Sequence, residues 1–219
     1  MERGVRLLIQ AWLRRPGLAW CWLAALMFIG AVLAMPLNRN AIDWQPSLAL
    51  SQPWRWWTAL FVHYSPAHLV ANLGAVLLVA AYGGSAQVPL RSTLAWALAW
   101  PLTHLALCLQ PDLQHYGGLS GVMHSGVAVA CVHLMLAGTR AQKFVGAAVL
   151  TGMLAKVVSE SPWAGPLQYN SGWDIAVAPV AHATGSVAGA LCSAGAECGW
   201  RWQERRAQAR MRLTSAVVE

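Results

Sequence analysis

Charge is scarce in this chain: Asp, Glu, Lys and Arg make up only 11% of its 219 residues, against roughly 25% in an ordinary soluble domain. A soluble single domain is excluded on that ground, and the 57% hydrophobic content points the same way. Acidic residues are the fewest, 8 against 15 Lys and Arg. Cysteine is sparse and unpatterned. Cys21, Cys108, Cys131, Cys192 and Cys198 are odd in number and contain no Cys-x-x-Cys, so neither a disulfide framework nor a zinc site is expected. His-Glu-x-x-His is also missing. His115, His124 and His133 stand nine apart, and nine residues turn a helix by about 900°, to opposite faces. No metal and no cofactor is therefore expected. The soluble hydrolase elbow Gly-x-Ser-x-Gly is incomplete, because Val122 stands where its last glycine belongs. There is no internal repeat of the kind that marks many transporters.

Long apolar runs are plentiful instead. They extend from about Gly17 to Met35, Pro66 to Ala86, Ser92 to Leu109, Tyr116 to Ala137, Ala141 to Val158 and Trp173 to Ala196. Six crossings of about 20 residues use about 120 residues, which leaves no room for a separate soluble domain. Uninterrupted runs of this kind read as helices, since a membrane barrel would show alternating strands. The expected fold is an all-α, polytopic bundle of six transmembrane helices over residues 17–197. A basic N-terminus over 1–16 and a basic tail over 198–219 flank it. Between the first two runs, Trp44, Trp54, Trp56 and Trp57 crowd a loop, a density of indoles expected at the headgroup level.

The net charge of +7 would suggest nucleic acid only if it formed a patch on a soluble surface. It does not. Arg3, Arg6, Arg14 and Arg15 precede the first run, and Arg201, Arg205, Arg206, Arg210 and Arg212 follow the last. With Arg91, Arg140 and Lys143 they put twelve cations on the side of the termini, against Arg39 and Arg55 opposite and Lys156 inside the fifth run. By the positive-inside rule both termini are cytoplasmic, and the basic ends meet anionic lipid headgroups. Asp43, Asp112, Glu160 and Asp174 fall on the outer side.

Polar residues inside apolar spans are costly, which makes each a functional candidate. One cluster is Gly117-Gly118-Leu119-Ser120-Gly121, at the outer end of the fourth run. Its glycines open the serine to close approach, and a helix start offers N–H groups without intrahelical partners that suit an oxyanion. A second is His182 followed by Gly185 and Gly189; glycines four apart flatten one helix face for tight packing. The third is His68 and Asn72, one turn apart on the second run. Both can donate hydrogen bonds to a developing oxyanion. Each cluster alone is compatible with helix packing, but a Ser-His nucleophile with a polar oxyanion site needs all three.

Trp54-Arg55, the His63, His68 and Asn72 series, Gly118-x-Ser120-Gly121, and Ala181-His182 with Gly185 and Gly189 together resemble the rhomboid intramembrane serine proteases. The resemblance covers about Trp54 to Gly195. Within that family, Gly118 to His124, Lys156 to Glu160 and Asp174 to Ala178 are most similar to the rhombosortase branch. It implies a Ser120–His182 dyad, with Ser120 N–H, His68 and Asn72 at the oxyanion and Gly118, Gly121, His124, Gly185 and Gly189 in support. His124 stands where many rhomboids have a tyrosine stacked on the catalytic histidine. The resemblance further implies a multi-pass protein of a bacterial inner membrane that cuts transmembrane substrates near the periplasmic face and removes C-terminal signals made of a Gly-rich motif, an apolar helix and a basic end. The competing expectation is a non-catalytic rhomboid-like protein that binds or escorts transmembrane helices. Asp174 is not expected to complete a triad, since eight residues place it about 12 Å along a helix from His182.

Overall fold

The structure is a computed structural model that describes residues 15–218. Arg3, Arg6 and Arg14, and with them most of the 1–16 segment, lie outside the described residues. Six long helices account for the six apolar runs: α1 (Leu18–Ala34), α2 (Pro66–Ser85), α3 (Leu90–Leu105), α4 (Ser120–Ala137), α5 (Arg140–Ser159) and α6 (Pro179–Val218). α2, α4, α5 and α3 with its 3-10 extension to Leu109 are long and apolar enough to cross a membrane, and α1 is a shorter apolar helix of 17 residues. At 1.5 Å per residue the 20 residues of α2 span about 30 Å, the thickness of a hydrocarbon core. Among the described residues no strand forms beyond two isolated bridges. The protein is an all-helical polytopic bundle.

Two helices begin later than their apolar runs. α4 starts at Ser120, not near Tyr116, because Trp44 and Tyr116 exchange N–H···O=C bonds of 2.7 and 2.9 Å and hold the chain extended. Gly118 then turns at φ 128°, a conformation that favours glycine. α6 starts at Pro179, not near Trp173. Val177 pairs with Gln168 instead, and a residue preceding proline resists helix. At its far end α6 continues unbroken past Cys198 to Val218, so the basic tail prolongs the last helix.

α4 is the central element, packed by α2, α3, α5 and α6. Its closest neighbour is α6. A Cβ on Gly185 or Gly189 would overlap the carbonyls of Gly121 and Ser125, and one on Gly121 would press on the Ala181 carbonyl. Trp20 stacks on Trp96 with ring centroids 4.2 Å apart, inside an apolar core that includes Met27, Leu119 and Val122. Trp96 also donates its indole N–H to the Val122 carbonyl, tying α3 to α4.

A second apolar cluster gathers Trp44, Leu107, Leu113, Tyr116 and Ala181 at one end of the bundle. Trp44 is fully buried there and does not face the headgroups, whereas Trp54 and Trp57 are exposed. The loop that carries them is organised by buried Asp43, whose carboxylate accepts from Arg55 at 2.9 Å and pairs with His115 Nδ1 at 2.7 Å. Links such as Ser65 to Asp174 and Gly118 N–H to the Ala59 carbonyl belong to this same end. At the opposite end Gly17 N–H meets the Val88 carbonyl, and Glu197 binds Arg91 and His133.

Candidate active site

Ser120 is the first residue of α4 and His182 lies in the first turn of α6. Both therefore sit at the end that carries the Asp43 loop. The glycine contacts between α4 and α6 bring the two helices close enough that Ser120 Oγ and His182 Nε2 stand 3.0 Å apart. A serine at a helix start also lies beside N–H groups that have no intrahelical acceptor, and Leu119 before it offers no capping side chain.

The second nitrogen of His182 is engaged by a residue that sequence reasoning did not place here. Its Nδ1 lies 2.6 Å from Glu160 Oε2, and Glu160 Oε1 accepts from Lys156 Nζ at 2.6 Å. Because a carboxylate only accepts, Nδ1 carries the proton and Nε2 is left to accept the Ser120 hydroxyl. Burial opposes ionisation of Glu160, yet the hydrogen bonds from His182 and Lys156 outweigh it and bring the carboxyl down to about 2. It is an anion throughout the neutral range. Asp174, excluded as a partner of His182, accepts from the Ser65 hydroxyl at 2.9 Å.

His124 stacks on His182 with centroids 4.2 Å apart and planes 16° from parallel. It donates from Nδ1 to the Ser120 carbonyl at 2.7 Å, and its Nε2 lies 3.3 Å from Lys156 Nζ. His115 and His133 bond to Asp43 and Glu197, so the three histidines spaced nine apart serve three separate places. Among the described residues no cluster of three metal-ligating side chains forms.

His68 and Asn72 flank Gly118. A Cβ there would come within 2.8 Å of the His68 ring and 3.7 Å of Asn72 Nδ2, so the glycine is required by space as well as by its φ. Asn72 spends one amide proton on the His68 carbonyl at 3.0 Å, and His68 Nδ1 makes no hydrogen bond within the described residues. His63, before α2, is buried against His68 with centroids 4.9 Å apart. Burial pushes it down to about 4, so it is neutral.

His68, Ser120 and His182 line one cavity together with Leu167 and Ile175 to Ala178. Its volume is about 40 Å³, room for one water at about 30 Å³, and far less than a peptide needs. The serine-imidazole-carboxylate line, with donors beside the hydroxyl, can perform nucleophilic acyl transfer.

The signal for Glu160 was present in the sequence as Lys156, a cation within an apolar run with an acid one turn later. The pairing alone does not point to His182, because the sequence of α5 gives no sign of which helix it faces. A comparison with curated proteins finds no match. Residues 50–196, which hold Ser120, His182, Glu160 and both oxyanion candidates, match the rhomboid domain, and the chain belongs to the rhomboid family, whose members are generally intramembrane serine proteases.

Proposed function

We propose that this protein is an intramembrane serine endopeptidase with Ser120 as nucleophile and His182 as general base. The observation that carries the reading is the 3.0 Å approach of Ser120 Oγ to an imidazole nitrogen that is free to accept its proton. Oγ attacks the scissile carbonyl carbon as its proton passes to His182 Nε2. The tetrahedral oxyanion is received by the Ser120 N–H, by His68 and by the second amide proton of Asn72. When the C–N bond breaks, His182 returns the proton to the leaving amine, and a water repeats the sequence on the acyl-enzyme. Leu167 and Ile175 to Ala178, which line the narrow cavity, must give way for a peptide to enter.

The substrates we assign are membrane-anchored proteins cut near the periplasmic face of a bacterial inner membrane, in the manner of a rhombosortase. A substrate helix must unwind to expose a peptide bond, since helical backbone groups are otherwise hydrogen-bonded. Glycine lowers that cost by about 1 kcal/mol per residue relative to alanine, which favours a Gly-rich motif just outside an apolar helix. A basic end after that helix holds it in the inside-positive orientation. The alternative of a non-catalytic helix escort gains nothing from a hydroxyl and an imidazole already paired.

The test is co-expression with secreted proteins that end in a Gly-rich motif, an apolar helix and a basic tail. Loss of the C-terminal helix is scored with the wild type, Ser120→Ala and His182→Ala. Each variant is expected to insert normally and to abolish processing, because members of a nucleophilic unit act together, and a fluorophosphonate should label the wild type but not Ser120→Ala. Persistent processing by Ser120→Ala would refute the assignment.

A further inference from the structure

The resemblance implies a dyad of Ser120 and His182, yet here a carboxylate meets the remaining imidazole nitrogen. Glu160 caps the C-terminal end of α5, a helix packed mainly on α4. Its position is not left to chance. One oxygen meets His182 Nδ1 at 2.6 Å while the other is gripped by Lys156 Nζ at 2.6 Å. Lys156 in turn reaches the Nε2 of His124, the ring stacked on His182. The result is a closed circuit from the Ser120 hydroxyl through His182, Glu160, Lys156 and His124 back to the Ser120 carbonyl. Ser120, Glu160 and His124, from the start of α4 and the end of α5, hold the imidazole at both ring nitrogens and one face, and Lys156 links the last two.

We propose that Glu160 is the positioning residue of a Ser120–His182–Glu160 triad, clamped by Lys156. This deepens the protease reading above and rests on it. The carboxylate keeps the proton of His182 on Nδ1, so that Nε2 presents its lone pair to the hydroxyl before the reaction begins. As the Ser120 proton arrives on Nε2, the ring becomes an imidazolium, and the facing carboxylate stabilises that charge. Glu160 itself takes no proton. The Nδ1–H bond stays intact, and the proton gained on Nε2 leaves with the amine. His182 is 9% exposed, so water solvates an imidazolium there poorly and a fixed anion matters more than it would at an exposed position. Lys156 has two functions in this arrangement: it fixes the carboxylate, and it donates to His124 Nε2, which keeps that ring's own proton on Nδ1 for the Ser120 carbonyl.

The experiment uses the full-length enzyme in proteoliposomes, with two readouts. One is turnover of a reporter substrate carrying a Gly-rich junction before its helix; the other is the rate of inactivation by a fluorophosphonate, which reports serine reactivity without a peptide. Glu160→Gln keeps the shape but removes the charge and allows the wrong tautomer. It is expected to lower kcat and the inactivation rate by about 10²- to 10⁴-fold, the range set by losing the carboxylate of a serine-histidine unit. KM is expected to stay within about threefold, because substrate binding does not involve this group. Glu160→Asp, which restores the charge one methylene short, should recover at least part of the inactivation rate lost in the Gln variant. Glu160→Ala should regain activity when formate is supplied, and either the Gln or the Ala variant suffices if the other fails to accumulate in the membrane. Glu160→Gln with kcat within threefold of wild type, a loss confined to KM, or an Ala variant deaf to formate would overturn the triad. Those results, alongside an inactive Ser120→Ala, would leave the protease reading standing with a dyad, whereas an active Ser120→Ala would remove both.

Discussion

The imidazole of His182 is held at three points, and His124 supplies the one with no bond along its line of proton transfer. Its ring covers the face of His182 at 4.2 Å while its two nitrogens are used elsewhere, on the Ser120 carbonyl and on Lys156. Stacking of this kind contributes about 0.5–1.5 kcal/mol beyond area burial. His124→Ala should therefore lower kcat by roughly 2- to 10-fold, and His124→Phe, which keeps a ring but neither hydrogen bond, should fall between that variant and the wild type. Steady-state kcat on one reporter substrate decides it: a Phe variant no better than Ala would show that the hydrogen bonds, not the stack, are what His124 supplies. Ser120, His182, His68 and Asn72 were legible in the sequence because a polar group in an apolar span is conspicuous. The partners of those groups were not. Sequence distance along one helix excluded Asp174, and it did so by assuming a helix that begins at Trp173; the chain there turns and bends before α6, and Asp174 bonds to Ser65. Glu160 stood out only as an outer-side acid in a segment similar to the rhombosortases; its contact with His182 depends on how the end of α5 lies against α6, a tertiary relation that no local pattern encodes.

At the scale of elements, the line of approach between α4 and α6 sets the distance between Ser120 and His182. Gly185 and Gly189 stand four apart and fit over Gly121 and Ser125, a relation legible from spacing alone. The helix starts were less legible, since Tyr116 and Val177 are apolar enough to extend a run but are drawn into bridges with Trp44 and Gln168. A contrast between two glycines tests the packing argument. Gly152 lies within α5 with open space around its missing side chain, so Gly152→Ala should raise stability by up to about 1 kcal/mol through helix propensity. Gly185→Ala has the same propensity gain but drives a methyl into the Gly121 carbonyl. It should lose about 1–3 kcal/mol and separate Ser120 from His182, with a fall in kcat. Thermal melts of both variants in one detergent read the difference. Equal shifts would mean that α6 has slack against α4.

For the whole molecule, the question is which end of the bundle faces the cytoplasm. Gly17, the turn before Arg91 and Glu197 gather at one end, and Ser120, His182 and the Asp43 loop lie at the other. The few cations near the catalytic end are tied down: Arg55 is buried against Asp43, Arg39 donates to the Tyr64 carbonyl, and Lys156 is paired with Glu160. Arg91 at the other end is likewise paired with Glu197, so pairing touches both sides and the orientation signal rests on the count of Arg and Lys. By the positive-inside rule the basic ends are expected in the cytoplasm, and Ser120, the proposed nucleophile, would then open on the periplasmic side. Reporter fusions after Ala141 and after Arg206 should accordingly give a cytoplasmic signal, and fusions near Asn40 and Asn170 a periplasmic one. The pairs are informative together, because each lies at a different end of the same described helices and an even number of crossings must return the chain to its starting side. A periplasmic signal after Arg206 with a cytoplasmic one near Asn170 would invert the bundle. It would place Ser120 at the cytoplasmic face, and substrates with a Gly-rich motif on the periplasmic side of their helix would lie a full membrane thickness, about 30 Å, from the nucleophile.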